Sequence, residues 1–248
     1  MTTDRQSMRY AAHLPLNAVG GSGQARISEA HIVLIGVGGL GCPTAQYLVS
    51  SGIGRLTLCD FDTVAESNLA RQILFRSEDI GLNKVDAAKK QLNGLNPDCQ
   101  IDTVCARMGD SEMLQLFQTC DLVIDASDNY GTRLAVNRSC LSLSIPWVMG
   151  ACVRMEGQVM LLRPDLPDSA CYRCSYGQAP DSLEDCPGAG IFAPVAGIVG
   201  TTMAHMALGH IAGLDIPSGL LLFDAADLEW RKLLTSKAMQ CPDCGPNQ

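Results

Sequence analysis

HIVLIGVGGLGCPTAQYLVSSGIGRLTLCD, residues 31–60, is the stretch that decides the fold. His31 to Ile35 is a short β-branched run, GVGGLG is a glycine turn, and CPTAQYLVSSGIG carries helical periodicity. RLTLCD is a second short apolar run, ending on Asp60. Strand, glycine turn, helix and second strand make a βαβ unit. Gly36, Gly38 and Gly41 stand in the G-x-G-x-x-G arrangement, with Gly39 inside it. Glycines there let backbone N–H groups and a helix N-terminus approach phosphate oxygens. Asp60, about 20 residues on, is placed to bind ribose hydroxyls. The signature alone points most often to a dinucleotide, and it leaves other nucleotides open.

The next residues narrow that choice. FDTVAESNLARQILFRSEDIGLNK (61–84) crowds Asp62, Asn68, Arg71, Gln72, Arg76 and Lys84 behind the second strand. A dehydrogenase has no general need for such cationic density, whereas a triphosphate does, because Arg and Lys neutralise charge on phosphate oxygens. Further along, a helix fits Lys84 to Leu95 and stops at Asn96-Pro97. DLVIDASDN (121–129) reads as a buried parallel strand running into a polar loop. IPWVMGACV and GQVMLLRP are strand candidates, Pro164 to Pro187 a loop or crossover, Ala193 to Gly213 a buried helix, and Gly219 to Phe223 a strand.

The chain has 248 residues, 47% of them hydrophobic and 18% charged, enough for a core and too apolar for global disorder. A net charge of −8 argues against nucleic acid as a partner, which needs a basic surface. The first thirty residues show no apolar export signal, and the late apolar helix carries histidines and glycines. A cytoplasmic protein that does not span a membrane is expected, its 12 cysteines reduced or metal-bound. Cys171/Cys174 and Cys241/Cys244 are two CxxC pairs separated by about 66 residues. Two such knuckles make a tetrahedral sulfur site with no open position, the pattern of structural zinc. Cys42, Cys59, Cys99, Cys105, Cys120, Cys140 and Cys152 read as buried small hydrophobes, and His205 and His210 as core residues. The expected architecture is α/β, a Rossmann-like doubly wound sheet with a C-terminal zinc-clamped extension. It forms one unit: segment 1–30, nucleotide-binding core 31–164, and 165–248 as crossover loop, helix, strand and clamped tail.

GVGGLG, LCDFDTVAESNLARQILF, GLNKVDAA, DASDN, RMEGQ, CYRC and CPDCG occur in this order from Met8 onward. Together they resemble the MoeB/ThiF family, bacterial relatives of ubiquitin-activating enzymes. The resemblance implies an adenylyltransferase that uses ATP to activate the C-terminal glycine of a small ubiquitin-like sulfur carrier ending in Gly-Gly. Its further implications are magnesium, zinc, a homodimer, and a separate sulfur donor such as a cysteine desulfurase or rhodanese. ACVRMEGQ looks more like the molybdopterin branch, while NLARQILF and SLEDCPGAG resemble the thiazole branch as well. Carried over by position, Gly39 faces ATP, Asp60 binds ribose, and Asn68, Arg71 and Gln72 contact the triphosphate. Lys84 reaches the phosphates, Asp128 helps bind magnesium or positions the reacting phosphate with Asn129 beside it, and Cys186 is a candidate covalent acceptor. One position departs: the family's R-Y-x-R-Q start reads Arg9-Tyr10-Ala11-Ala12-His13, so Ala12 replaces an arginine that reaches the neighbouring subunit's ATP site. That departure keeps a weakened, carrier-binding scaffold as the alternative reading, with an NAD-dependent oxidoreductase behind it.

Overall fold

A computed structural model describes residues 4–177 and 190–245. Helices α1 (Asp4–Arg9) and α2 (Gly20–Glu29) come first. The βαβ unit follows as expected: β1 (His31–Ile35), α3 (Gly41–Ser50) and β2 (Arg55–Cys59), with β1 and β2 parallel. Helix α4 (Lys84–Leu95) ends where Asn96 turns extended ahead of Pro97, whose ring disfavours a helical residue before it. The chain continues through β3 (Gln100–Val104), α5 (Asp110–Phe117), β4 (Leu122–Asp125) and α6 (Tyr130–Leu143). Strands β5 (Trp147–Val153) and β6 (Glu156–Leu162) form a hairpin, followed by the short α7 (Tyr172–Tyr176). Helix α8 (Ala193–Ala212) and strands β7 (Gly219–Asp224) and β8 (Glu229–Leu233) complete the described fold.

All eight strands belong to one sheet in the order β3-β2-β1-β4-β5-β6-β7-β8. The β3-to-β5 half is parallel and Rossmann-like; β6, β7 and β8 are added antiparallel. The doubly wound expectation therefore holds for the first half only. The reason is local: Val153 pairs with Glu156, so Arg154 and Met155 form a two-residue turn that no crossover helix can occupy. Arg154 sits at φ 56°, the positive value that tight hairpin turns require.

Alternation along the strands supplies two cores. Ile32, Leu34, Leu56, Leu58, Leu122 and Ile124 face α3, α4 and α8. Val33, Ile35, Val123, Trp147 and Met149 face α5 and α6. Every residue of β1 is buried because both faces are covered, as for a central parallel strand. A side chain at Gly41 would run into the Gly36 carbonyl, and Gly36 itself has φ +86°. The glycine turn is thus required for helix and strand to meet at all.

The N-terminal segment docks through Tyr10, buried at 4% exposure, whose hydroxyl accepts from Asn96 Nδ2 at 3.1 Å. Arg9 donates to the Leu95 carbonyl, while Ala12 is exposed. Helix α8 packs on α2, α3, β5 and β6 and is capped by Gly213 at φ 83°. Two expectations fail at single residues. His205 is exposed on α8, with His210 only half-buried, because the helix turns one side outward. Cys105 is also exposed, since it lies just past the end of β3.

Truncation should follow this burial. Leu58→Ala, at a fully buried position, is expected to cost about 3 kcal/mol. Leu234→Ala, at 85% exposure, should cost less than about 0.5 kcal/mol. Urea unfolding midpoints of the two variants check the contrast.

Candidate functional site

The chain order of the parallel strands reverses between β1 and β4, and a cleft of about 340 Å³ opens there. Such a switch point is where open α/β sheets place their ligands. Gly36, Gly38 and Gly39 line it from the turn ahead of α3, so the positive end of that helix faces the cavity. Gly41 does not line it; its role is the close packing already described.

Asp60 accepts the Val37 N–H at 2.8 Å through Oδ2 and the Asp62 N–H at 2.9 Å through Oδ1. Each oxygen keeps a lone pair for a further donor. Asp62 in turn pairs with Lys84 Nζ at 2.8 Å, fixing a lysine whose side chain is only 7% exposed. Asn68 and Arg71 line the same wall, and Arg71 donates to the Ser67 carbonyl at 3.1 Å. Gln72 is buried, and its Oε1 has no hydrogen-bond partner among the described residues. Arg76 is not part of the site: it turns outward and donates to the carbonyls of Ile73, Leu74 and Phe75.

Across the cleft, Asp128 and Asn129 follow β4. Asn129 caps α6, its Oδ1 accepting the Thr132 N–H at 2.8 Å, so half of its amide is committed to the helix. Asp128 is exposed to the cavity and takes part in no ion pair among the described residues. Cys186 lies outside the described residues.

Several lining residues escaped the sequence reading. Arg107 lies over the Phe61 ring at 4.4 Å, a cation–π contact at the apolar end of the cleft. Cys152 reaches the cavity from β5; burial pushes its thiol up to about 11, against the pull of Arg133 and Arg71. Arg133 lines the wall below Asp128 and donates to the carbonyls of Ser127 at 2.8 Å and Gly150 at 3.3 Å. Burial is the largest single influence and opposes its charge, but Asp125, Tyr172 and Tyr176 together raise its pKa. Burial pushes the Asp125 carboxyl up, with Arg133 pulling it back. The position four residues after Asn129 on a helix is the signal that would have found Arg133, because i and i+4 share a face.

The four cysteines of the two CxxC pairs converge. Their sulfurs all lie within 4.8 Å of one another. Cys171 is 3.6 Å from Cys241, Cys174 is 3.4 Å from Cys244, and Cys171 is 3.8 Å from Cys174. A disulfide needs about 2.05 Å. A metal holding four thiolates at about 2.3 Å needs sulfurs roughly 3.8 Å apart, close to what is found. The Ala238 N–H donates to Cys174 Sγ at 3.3 Å, a donor suited to a thiolate.

Known proteins resemble this chain over almost its whole length. The sulfur carrier protein ThiS adenylyltransferase of Escherichia coli K12 is 37% identical over 243 residues, covering 98% of this chain and 96% of the relative. The molybdopterin-synthase adenylyltransferase of the same strain is 35% identical, covering 98% of each. The SAMP-activating enzyme E1 of Haloferax volcanii is 37% identical, covering 96% of this chain and 88% of the relative. Among solved structures, E. coli MccB with AMPCPP and MccA superposes with a TM-score of 0.84 at 22% identity, covering 96% of this chain and 74% of that one, a likeness of fold. The ThiF family profile matches residues 10–243. With its glycine turn, its cationic cleft and its paired cysteines in that family's order, the chain belongs to the ThiF family.

Proposed function

We propose that this protein uses ATP to adenylate the C-terminal glycine carboxylate of a ubiquitin-like sulfur carrier, releasing pyrophosphate. The observation that carries the reading is one cleft that gathers the glycine turn, Asp60, Arg71, Lys84 and Asp128. It does so in a chain that is 35–37% identical, nearly end to end, to enzymes named for that reaction. The residues fit a triphosphate: the α3 N-terminus and the cations Arg71, Lys84, Arg107 and Arg133 line the cavity.

The carrier's carboxylate attacks the α-phosphorus, forming the acyl–phosphate bond as the bond to pyrophosphate breaks. The carboxylate is ionised near neutral pH, so no general base is required. The barrier lies in bringing two anions into line, and Arg71 and Lys84 lower it by neutralising phosphate charge. Asp60 takes the ribose, with Asn68 and Gln72 on the triphosphate. Asp128 orients the reacting phosphate, with Asn129 beside it. Magnesium, when bound, would be held by Asp128 and would offset phosphate charge.

We assign zinc to Cys171, Cys174, Cys241 and Cys244, tying the 165–248 part of a single-unit protein to its 31–164 core. We place the protein in the cytoplasm as a homodimer, with sulfur delivered by a separate cysteine desulfurase or rhodanese. A molybdopterin-type carrier is placed ahead of a thiazole-type one on the ACVRMEGQ stretch. Cys186 remains the candidate for a covalent link to the carrier. The scaffold reading keeps one observation in its favour, the exposed Ala12 where the resembling family has arginine.

The test is ATP–pyrophosphate exchange with magnesium, offering a molybdopterin-type carrier and then a thiazole-type carrier. Exchange with one establishes adenylation and selects the branch; silence with both, from folded and metal-loaded protein, favours the scaffold. Arg71→Ala and Asp128→Ala are each expected to lower exchange by roughly 100-fold or more with unchanged thermal melting; near-wild-type exchange by both contradicts the assignment. Elemental analysis of freshly purified, untagged protein should find one zinc per chain, and Cys241→Ser should lose it.

A further inference from the structure

The cysteine cluster and the nucleotide cleft look independent, yet one face of α6 joins them. Asn129, Arg133 and Asn137 recur every four residues along it, spanning roughly 12 Å at 1.5 Å per residue. At the cleft end, Asn129 caps the helix and Arg133 holds the Ser127 carbonyl at 2.8 Å, next to Asp128. At the other end, the wholly buried Asn137 donates to Asp243 Oδ2 at 2.9 Å and accepts the Tyr172 N–H at 3.0 Å. Tyr172 and Asp243 each lie inside a CxxC pair, between the cysteines that form the cluster.

Tyr172 closes the path. Its backbone N–H is held by Asn137, and its hydroxyl side faces the Arg133 guanidinium, which favours the charge on Arg133. Its ring is 2% exposed, stacked on Tyr176 at 4.5 Å between centroids and set against Trp147 at 6.0 Å. The ring has no room to swing, so its hydroxyl is as fixed as the knuckle that carries it. Arg133 Nε, by contrast, is buried with no partner among the described residues. The guanidinium is oriented by the two carbonyls it donates to, with Asp125 and Tyr172 facing it.

We infer that Arg133 is a positioning residue for the Ser127–Asp128 turn, that Tyr172 positions Arg133, and that metal and nucleotide binding are coupled through this pair. The inference rests on the adenylation reading for the role of Asp128. It goes beyond a structural clamp: the metal fixes Cys171 and Cys174, these fix Tyr172, and Tyr172 sets the wall of the cleft. Thermodynamic linkage makes the coupling reciprocal, so nucleotide binding must raise the affinity for the metal by the same factor as the metal raises the affinity for nucleotide.

The experiment measures the zinc affinity of the full-length protein by equilibrium competition with a chelating dye, with and without saturating magnesium ATP, alongside ATP binding by calorimetry. In the wild type, the ratio of zinc affinities with and without ATP is expected to be about fivefold or more. Tyr172→Phe, which removes only the hydroxyl, should bring that ratio close to one and weaken ATP binding by a similar factor. Tyr176→Phe serves as the control: it loses a comparably buried hydroxyl, bonded to Gln158 at 2.6 Å, and should keep the wild-type ratio. ATP binding with unchanged zinc affinity in the wild type overturns the coupling, a comparison that needs no variant to fold. A Tyr172→Phe protein that keeps the full ratio overturns the role given to its hydroxyl. Failure of the wild type to bind ATP at all overturns the adenylation reading and the coupling together.

Discussion

The Asp60 carboxylate accepts the Val37 N–H on one side and the Asp62 N–H on the other, and the cleft is arranged around that pair of bonds. The first bond ties the end of β2 to the glycine turn ahead of α3. The second sets the backbone leaving β2, and so the place where Asp62 meets Lys84. A single carboxylate thus fixes both the phosphate-facing turn and the first cation of the opposite wall. Charge-assisted bonds to backbone N–H groups are among the stronger ones available, which suits a junction where two loops converge without regular pairing.

The second wall has a different origin. Asp128 stands on a short turn between β4 and α6, and its side chain takes part in no ion pair among the described residues. Its surroundings hold the turn: Asn129 caps the helix, Asp125 Oδ1 accepts the Ser127 N–H at 2.8 Å, and Arg133 takes the Ser127 carbonyl. Asp125, which is buried, and Arg133 lie near this turn and influence each other's charge without forming one of the ion pairs among the described residues. Burying charged groups is costly unless each finds partners, and here they are retained under a loop that needs fixed geometry. The two walls meet over the end of β1, where the sheet is fully buried and least able to yield.

The β1–α3–β2 unit could be read from residues 31–60, because a glycine turn between two apolar runs has few other outcomes. Lys84–Leu95 was legible from its periodicity and the proline after it. β3 was not: Gln100–Val104 is half polar and lies at the sheet edge, so only Ile101 among its residues is fully buried. β8 escaped for the same reason, every residue of Glu229–Leu233 being exposed. The antiparallel turn at Arg154-Met155 carries no glycine, proline or asparagine to announce it. In the site, the glycine signature led to Asp60 and the cationic run to Arg71 and Lys84, while Asp128 came from the family resemblance; Arg76 belongs to the same run and faces away. Arg133 and Tyr172 were hidden because their partners are distant in sequence and meet only after α6 has packed. Exposure at His205 and Cys105 shows the same limit: a residue type suggests burial, but the neighbouring elements decide it.

The close approach of Gly41 to the Gly36 carbonyl carries a consequence for relatives that have lost their chemistry. The turn is needed for α3 to seat on β1, so a chain that no longer handles nucleotide would still keep its glycines or fail to fold. Asp60 and Asn129 are bound by similar duties, one joining two loops and the other capping a helix. Asp128 alone among the acids of the cleft supports nothing around it. A degenerate descendant would shed that side chain first, so its loss, more than any change in the glycine turn, would mark a dead member of this lineage.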